Sequence, residues 1–315
     1  MRLYHSLGDL PLGGPRRVIA IGAFDGVHRG HQAIIGRAMD IARERGLPGM
    51  VVTFTPNPIM VLRPDLKTTV LTGPALKAAL IARLGAGELL SVPFTRSFSR
   101  IRADRFAEML ISAPIGADVV VVGRDFRYGS GAEGTVETLR AFGRGRGLAV
   151  EVPDVVASED GKPISSTRIR RLIAQGELAE VVPLLGRPHC VEGVVVRGDG
   201  RGRGIGFPTV NVEVPEETAM PRRGVYAGRV VLAGGARDAA VNIGHAPTFV
   251  TSGDAPLRLE AHLLDYSGGD LYGEPVRVEF LQRLRDERRF ASVEELVSQL
   301  GRDVGRVREI LALGR

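Results

Sequence analysis

One cysteine, three lysines and no long apolar run set the first limits on this chain of 315 residues. Each shortage excludes something. Cys190 alone permits no internal disulfide and no multi-cysteine metal site. No apolar stretch approaches the ~18 residues of a membrane span. The start, Met1-Arg-Leu-Tyr-His-Ser6, lacks the apolar core of a signal peptide. A cytoplasmic protein without a membrane partner is expected. The lysines are Lys67, Lys77 and Lys162. A P-loop needs Gly-Lys-Ser/Thr after a spaced glycine. The only Gly-Lys pair is Gly161-Lys162, and Pro163 follows it. Protein-kinase signatures are missing as well. Any ATP chemistry here takes another route.

What is present is otherwise ordinary. Hydrophobic residues make up 44% and charged residues 25%, as in a soluble globular protein. The length suits two domains. The net charge of +6 raises the question of nucleic acid. Of the 42 basic residues all but three are arginine, spread along the chain rather than gathered in one tract. With many Ala and Gly, that bias follows genome composition. An anionic substrate accounts for the charge equally well, and no nucleic-acid partner is expected.

The most informative stretch is Gly22-Ala-Phe-Asp-Gly-Val-His-Arg-Gly-His31. An apolar run, Arg17-Val-Ile-Ala-Ile21, precedes it and reads as a buried strand. A segment with apolar residues at helical spacing, Gln32–Arg45, follows it. A glycine-punctuated turn therefore carries His28 and His31 to a helix entrance. Backbone N–H groups and the positive end of the helix dipole suit a phosphate there. Cationic or hydrogen-bonding imidazoles would stabilise charge on a transferring phosphoryl group. One histidine would read as an incidental turn residue. Two, three apart between glycines and after a strand, favour function.

The first ~185 residues alternate strand and helix patterns. Strands are predicted at Val18–Ile21, Met50–Phe54, Leu89–Pro93, Val119–Val122 and Ala149–Val152. Helices are predicted at His31–Arg45, Ala75–Leu84, Ala103–Ile111, Val136–Gly143, Thr167–Gln175 and Leu178–Leu185. Short, nearly wholly apolar strands imply a parallel sheet covered on both faces. The expected first domain, 1–185, is doubly wound α/β and Rossmann-like, with ligands at the carboxyl ends of its strands. After Leu185-Gly-Arg-Pro188 the character changes. Strands are predicted at Cys190–Val196, Thr209–Val212, Tyr226–Leu232, Ala239–Ile243, Leu257–Leu264 and Val276–Leu281, with Gly and Pro turns and no helix signals between them. That implies a small antiparallel barrel or sandwich over 186–315, closed by an amphipathic helix, Val293–Leu311.

Three further segments fall where the first domain's ligand edge is expected, or at a helix start. Thr53-Phe-Thr-Pro-Asn-Pro58 reads as a rigid extended edge beside an aromatic ring, or as a plain strand exit. In Val122-Gly-Arg-Asp-Phe-Arg-Tyr-Gly129, Asp125 suits a polar ring edge, and Phe126 or Tyr128 suits a flat ligand. Pro163-Ile-Ser-Ser-Thr-Arg-Ile-Arg-Arg171 offers Ser165, Ser166 and Thr167 at a helix start and Arg170 beyond. It is either an N-cap with a solvated basic face or a second grip on a triphosphate.

Together these segments resemble the bacterial bifunctional riboflavin kinase/FMN adenylyltransferases, over nearly the whole chain. The opening motif resembles their nucleotidyltransferase signature, and Thr53–Pro58, Gly123–Gly129, Ile164–Arg170 and the linker Leu184–Pro188 follow in order. In the second half the likeness rests on Gly202–Asn211, Gly224–Gly228, Asn242–Phe249, Leu259–Asp265, Asp270–Gly273 and Phe280–Phe290. Four positions differ from, or vary within, the family's pattern. Asn57 stands at a usual histidine and Thr55 at a frequent aspartate. Asp125 stands at a position that is Asn or Asp, and Tyr128 at a frequent Phe.

The resemblance implies two reactions, riboflavin to FMN and FMN to FAD with release of pyrophosphate, each using ATP and Mg²⁺ and no tightly bound prosthetic group. It implies ATP or phosphate contacts from Gly22, Phe24, Asp25, Gly26, Gly30, Ser165, Ser166, Thr167, Gly206 and Thr209. Flavin contacts fall to Phe54, Pro56, Asn57, Pro58, Asp125, Phe126 and Tyr128. An alcohol is a poor nucleophile at neutral pH, so riboflavin phosphorylation wants a carboxylate base. Glu260, in the apolar strand Leu257–Leu264 near an expected barrel mouth, fits that role or that of an outward-facing strand carboxylate. Thr209 and Asn211, two apart on a strand and so on one face, suit Mg²⁺ and phosphate. The run Gly198–Gly206 is compatible with a phosphate loop or a flexible hairpin. FMN's phosphate is already an anionic nucleophile, so adenylylation needs positioning more than a base. His28, His31 and Arg170 supply it. The competing readings are an enzyme with one degenerate half, and a nucleic-acid-binding module.

Overall fold

The structure is a computed structural model that describes residues 1–112, 114–154, 156–198, 200–245 and 257–313. It divides into two compact units, Met1–Ser166 and Thr167–Arg315.

The first unit runs β1 (Arg2–Tyr4), β2 (Arg17–Ile21), α1 (Arg29–Arg45), β3 (Gly49–Thr55), α2 (Pro58–Leu62), α3 (Pro74–Arg83), β4 (Glu88–Pro93), α4 (Ala103–Ile111), β5 (Ala117–Val121), α5 (Val136–Gly143) and β6 (Ala149–Glu151). The strands form one parallel sheet in the order β1-β4-β3-β2-β5-β6. Alternate residues of each strand point to opposite faces. Ile19 and Ile21 join a core with Met50, Val52, Phe106 and Leu110. Val18 and Ala20 join another with Ile35, Met39, Val51 and Ile81. Both faces are thus buried, which is why the strands are apolar without alternation. At the other end of the sheet, the buried Arg17 meets Glu88 at 2.6 Å and donates to the carbonyls of Pro114 and Ile115.

The second unit begins with α6 (Ser166–Gln175), whose first residue belongs to the first unit, and α7 (Leu178–Leu185). It continues through β7 (His189–Val196), α8 (Arg201–Gly204), β8 (Val210–Glu213), β9 (Gly224–Leu232), β10 (Gly235–His245), β11 (Leu257–Leu263), β12 (Pro275–Arg285) and α9 (Val293–Leu313). The strands close into a barrel in the order β10-β11-β8-β7-β12-β9. Val307 and Leu311 of α9 pack on Ala227 and Leu264. The fold class is the expected one, a doubly wound parallel sheet and a closed antiparallel barrel with a C-terminal helix.

Four local expectations change. The edge strand β1 is only three residues long, too short to carry a pattern. Asn57-Pro58 is not the end of a rigid edge. It is a helix start, with Asn57 as N-cap and Pro58 at the first turn of α2, the place where proline's missing N–H costs nothing. The Gly-rich run holds a single helical turn, α8, rather than a hairpin; Asp199 within it lies outside the described residues. Thr209 immediately precedes β8 instead of opening it. Residues 246–249 of the segment Asn242–Phe249 also lie outside the described residues.

Two buried groups of the barrel are structural. Burial pushes the Cys190 thiol up to about 11, which leaves little thiolate at neutral pH. The His189 ring lies buried, with Nε2 2.8 Å from the Ala219 carbonyl oxygen. Nε2 therefore carries the proton and donates it. Burial brings this imidazole down to about 4, whereas an unfolded chain takes the proton near pH 6.5. As pH falls from 6.5 toward 4 the unfolded state gains a proton that the folded barrel refuses. The contribution is whole above 6.5 and is lost toward 4, an effect of about 3 kcal/mol. Urea melts at pH 7 and 4.5 should show this loss, and H189N should show a smaller one. Equal losses in both proteins would exclude His189 as the source.

Candidate functional site

In the first unit the chain order turns at β2, with β3 on one side and β5 on the other. Open parallel sheets bind ligands at such a switch point, beyond the carboxyl ends of the strands. The segment leaving β2 there is Gly22–His28. Phe24, Gly26 and Val27 take left-handed backbone, with φ of 47°, 82° and 42°. For Phe and Val this costs on the order of 1–3 kcal/mol each, so the surroundings must hold the turn. Asp25 Oδ1 accepts from Leu71 N–H at 2.9 Å and Thr72 N–H at 3.3 Å. Gly26 N–H donates to Thr72 Oγ1 at 3.1 Å. Ser166 Oγ donates to the Asp25 carbonyl at 2.9 Å. The Ala23 carbonyl accepts from Thr53 Oγ1 at 3.0 Å and from Lys77 Nζ at 3.1 Å.

That brace delivers His28 to the N-cap of α1. Its Nδ1 accepts the His31 N–H at 3.3 Å. In the neutral ring the proton then sits on Nε2, which makes that nitrogen the ring's donor. The His28 and His31 rings stack, with centroids 3.5 Å apart and planes 19° apart. Phe24 stands edge-on to His31 at 5.3 Å. A Cβ at Gly30 would come within 3.3 Å of the His28 ring, which accounts for the glycine. Burial holds His28 down at about 4. Burial, then the adjoining His28 and Lys77, hold His31 well below the usual imidazole range. Burial thus favours the neutral form of both rings at pH 7, in which each can act only as a hydrogen-bonding group.

The sequence assigns Asp25 and Ser166 to phosphate, but the structure turns both inward. The Asp25 carboxylate is buried on two N–H groups, and the Ser166 hydroxyl proton goes to a carbonyl. Phosphate oxygens accept only, so these groups serve the turn. Gly22 serves it too, donating to the Val52 carbonyl at 3.1 Å. Thr167 and Arg170 lie further along α6, in the second unit. Lys77, buried on α3, escaped the sequence reading. Its signal was there: a lysine inside Ala75-Leu-Lys-Ala-Ala-Leu80, in a chain with three.

An aromatic cavity of about 340 Å³ opens in the same unit. Of the expected flavin residues, Phe54, Pro58, Phe126 and Tyr128 line it, while Pro56, Asn57 and Asp125 stay outside the wall. Asn57 instead accepts the Ile59 N–H at 3.3 Å as helix cap, and Asp125 is exposed. Phe94, Phe98 and Phe106 add three more rings to the lining. Their rings follow one another at 5.6 and 6.3 Å. The pair Phe94 and Phe98, four apart just after β4, was the overlooked clue. Tyr128 meets Phe126 face to face at 5.7 Å, its hydroxyl 3.1 Å from Thr138 Oγ1.

In the second unit β8, β11 and β10 set Asn211, Glu260 and Asn242 directly abreast. Residues opposed in this way share one face of the sheet. Leu259 and Ala261 are buried inside the barrel, so this row points outward. Glu260 thus lies midway along β11 on the outer wall and not at a barrel mouth. There, Glu260, Thr209 and Asn242 line a cavity of about 260 Å³ together with His262, Arg285, Glu287, Arg288 and Asp303, while Asn211 stays outside its wall. Val225 and Ala240 from the barrel and Leu300 and Val304 from α9 form its apolar side. Arg285 of β12 grips Asp303 of α9 at 2.7 and 3.1 Å, and Gln299 donates to the same carboxylate at 2.8 Å. This pair ties the helix over the wall, a contact no local pattern announces. A side chain at Gly198 would strike the Asn211 amide. Gly206 (φ 84°) is an exposed turn residue that does not line the cavity.

Comparison with known proteins agrees with this division. Residues 14–168 match the FAD synthetase family, and residues 185–311 match the riboflavin kinase family. A bifunctional riboflavin kinase/FMN adenylyltransferase from Listeria monocytogenes is 39% identical over 91% of this chain and 90% of its own. Its counterpart from Escherichia coli is 37% identical over 99% and 98%. A crystal structure described as a macrolide-efflux protein from Streptococcus pneumoniae aligns with TM-score 0.84 at 35% identity, over 97% of this chain and 98% of that one. The efflux role is that protein's description. Among the described residues here, no helix is long and apolar enough to cross a membrane. With both halves matched in order and relatives aligned almost end to end, the chain belongs to the bifunctional riboflavin kinase/FMN adenylyltransferase family.

Proposed function

We propose that Glu260 is the base of riboflavin phosphorylation and that His28 is a phosphate-binding donor of adenylyl transfer. The enzyme makes FMN from riboflavin and FAD from FMN. The functional boundary is drawn after Leu185, where the kinase match begins, and the enzyme is assigned to the cytoplasm, with ATP, riboflavin and the flavin nucleotides as its partners.

The observation that carries the kinase assignment is Glu260, with Thr209 and Asn242, on a cavity whose facing wall includes Val225, Ala240, Leu300 and Val304. Riboflavin has a flat apolar ring and a hydroxylated tail. The apolar walls suit the ring, and Glu260 suits the terminal hydroxyl. Glu260 takes the hydroxyl proton as the oxygen attacks the γ-phosphorus, and ADP leaves. A positioned base contributes about 10²–10⁴-fold. Thr209 and Asn211 present a hydroxyl and an amide oxygen, the hard donors that Mg²⁺ accepts when phosphates complete its shell. The Asn211 amide packs where only a glycine, Gly198, leaves room, and Thr209 and Asn211 both offer hard oxygen donors of the kind that suits the ion. Mg²⁺ bound with ATP neutralises charge on the phosphates. No described cluster of three His, Cys, Asp or Glu competes for it.

In adenylyl transfer an FMN phosphate oxygen attacks the α-phosphorus of ATP and pyrophosphate leaves. His28 Nε2–H and the N-terminus of α1 hold the phosphate oxygens, and the aromatic cavity takes the flavin ring. Ser165, Thr167 and Arg170 carry an ATP assignment from the family likeness alone. Incubation with riboflavin, ATP and Mg²⁺ should yield FMN, then FAD, by chromatography. Excess EDTA should stop both. Undiminished product under EDTA would overturn the metal assignment.

A further inference from the structure

We propose that Lys77 is a positioning residue of adenylyl transfer: it places a buried positive charge behind that site and acts through the Ala23 carbonyl on the turn that presents His28. The proposal rests on the assignment of His28 above and deepens it.

Three observations support it. First, the charge is built in. Lys77 is 8% exposed, and lysine is almost never buried without a paired charge. Its partners are on the turn, since Nζ donates to the Ala23 carbonyl at 3.1 Å; burial lowers the ammonium from its usual range, and the nearby Asp25 carboxylate works against that loss of charge. Second, the turn needs the brace. Ala23 directly precedes Phe24, the first of three left-handed residues. Its carbonyl is fixed from two sides, by Thr53 of β3 and Lys77 of α3. A displacement of ~1 Å at a catalytic group can cost about 10²-fold in rate. Third, the imidazoles do not supply the charge. They are neutral at pH 7, held so by burial, and for His31 also by the field of Lys77. An anionic triphosphate still calls for a cation in a site screened from water. Within the first unit, the charged and titratable groups shown acting on this turn are Asp25, His28, His31 and Lys77. The other cation beside the turn, Arg29, is exposed and bonds Gln32, whereas Lys77 is buried against the turn.

Two substitutions separate charge from simple packing. K77Q keeps a donor for the Ala23 carbonyl and loses the charge. K77R keeps the charge. The full chain is assayed for FAD formation from added FMN, with riboflavin phosphorylation measured in the same preparation. K77Q should lower kcat for FAD formation about 10- to 100-fold with little change in KM for FMN, and K77R should recover most of it. In NMR titrations of the unliganded protein, the His31 ring should titrate at a higher pH in K77Q than in wild type, because a repelling charge has gone. Wild-type kcat in K77Q would overturn the proposal, as would equal damage in K77R with an unmoved His31. If K77Q does not fold, K77R decides: kcat within about threefold of wild type supports the proposal, and a tenfold loss defeats it. H28A is run alongside. If H28A leaves FAD formation intact, the underlying assignment fails. If H28A abolishes it and K77Q does not, only the role of Lys77 fails.

Discussion

Replacing Glu260 with alanine should slow FMN formation by about 10²–10⁴-fold and leave FAD formation from added FMN unchanged. The size follows from the chemistry. A primary alcohol holds its proton at neutral pH, and without a base the attack on phosphorus must start from the weaker nucleophile. The selectivity follows from the fold, because Glu260 belongs to the barrel unit and His28 to the sheet unit. The barrel should survive. Leu259 and Ala261 provide the buried contacts of β11 while Glu260 faces outward, so alanine removes no core atoms. E260Q sharpens the test, since the amide fills the same space and cannot take a proton. It should be as slow as E260A, with an unchanged melting transition. Normal FMN formation by E260Q would remove Glu260 from the role of base. Loss of both reactions in folded protein would defeat the assignment of separate sites.

The sequence reading set two descriptions of Glu260 against each other, an outward-facing strand residue and a catalytic base. The structure makes the two compatible, since Glu260 faces outward and still lines a cavity. Alternation in Leu257-Arg-Leu-Glu-Ala-His-Leu263 says correctly that Glu260 leaves the barrel. It cannot say that α9, arriving some 40 residues later, returns to cover that wall and make a cavity of it. The ion pair of Arg285 with Asp303 that secures the helix is a long-range contact of the same sort. The same division runs through the sheet unit. Its strands were legible because both faces are buried and the runs are continuously apolar. His28 was legible because a strand, glycines and a helix surround it within fifteen residues. Lys77 and Thr72 were not, since they reach the turn from 46 or more positions away. Asn57 shows how a local signal misleads. A residue noted as a departure from the family's histidine is a helix cap, a task for which asparagine is among the preferred residues.

Replacing His28 with alanine should do the reverse of E260A, slowing FAD formation by about 10²–10³-fold with FMN formation intact. One hydrogen-bond donor aimed at a phosphoryl oxygen in a site screened from water accounts for a loss of that size. His28 has a second duty that must be separated from the first. Its Nδ1 caps α1, and losing a cap costs about 1 kcal/mol. H28N resolves the two. Asparagine caps well, so H28N should melt near wild type, yet its amide stops short of the position of Nε2, so it should be as slow as H28A. Recovery of FAD formation in H28N would make His28 a cap and nothing more. The ring's protonation gives an independent check. A phosphate site built on imidazolium would show His28 titrating at or above 6.5. Burial predicts the opposite, a neutral ring that takes its proton only near pH 4. If histidine NMR of the unliganded protein instead finds His28 charged at pH 6, the neutral donor is wrong, and the imidazolium rather than its N–H group must be what holds the phosphate.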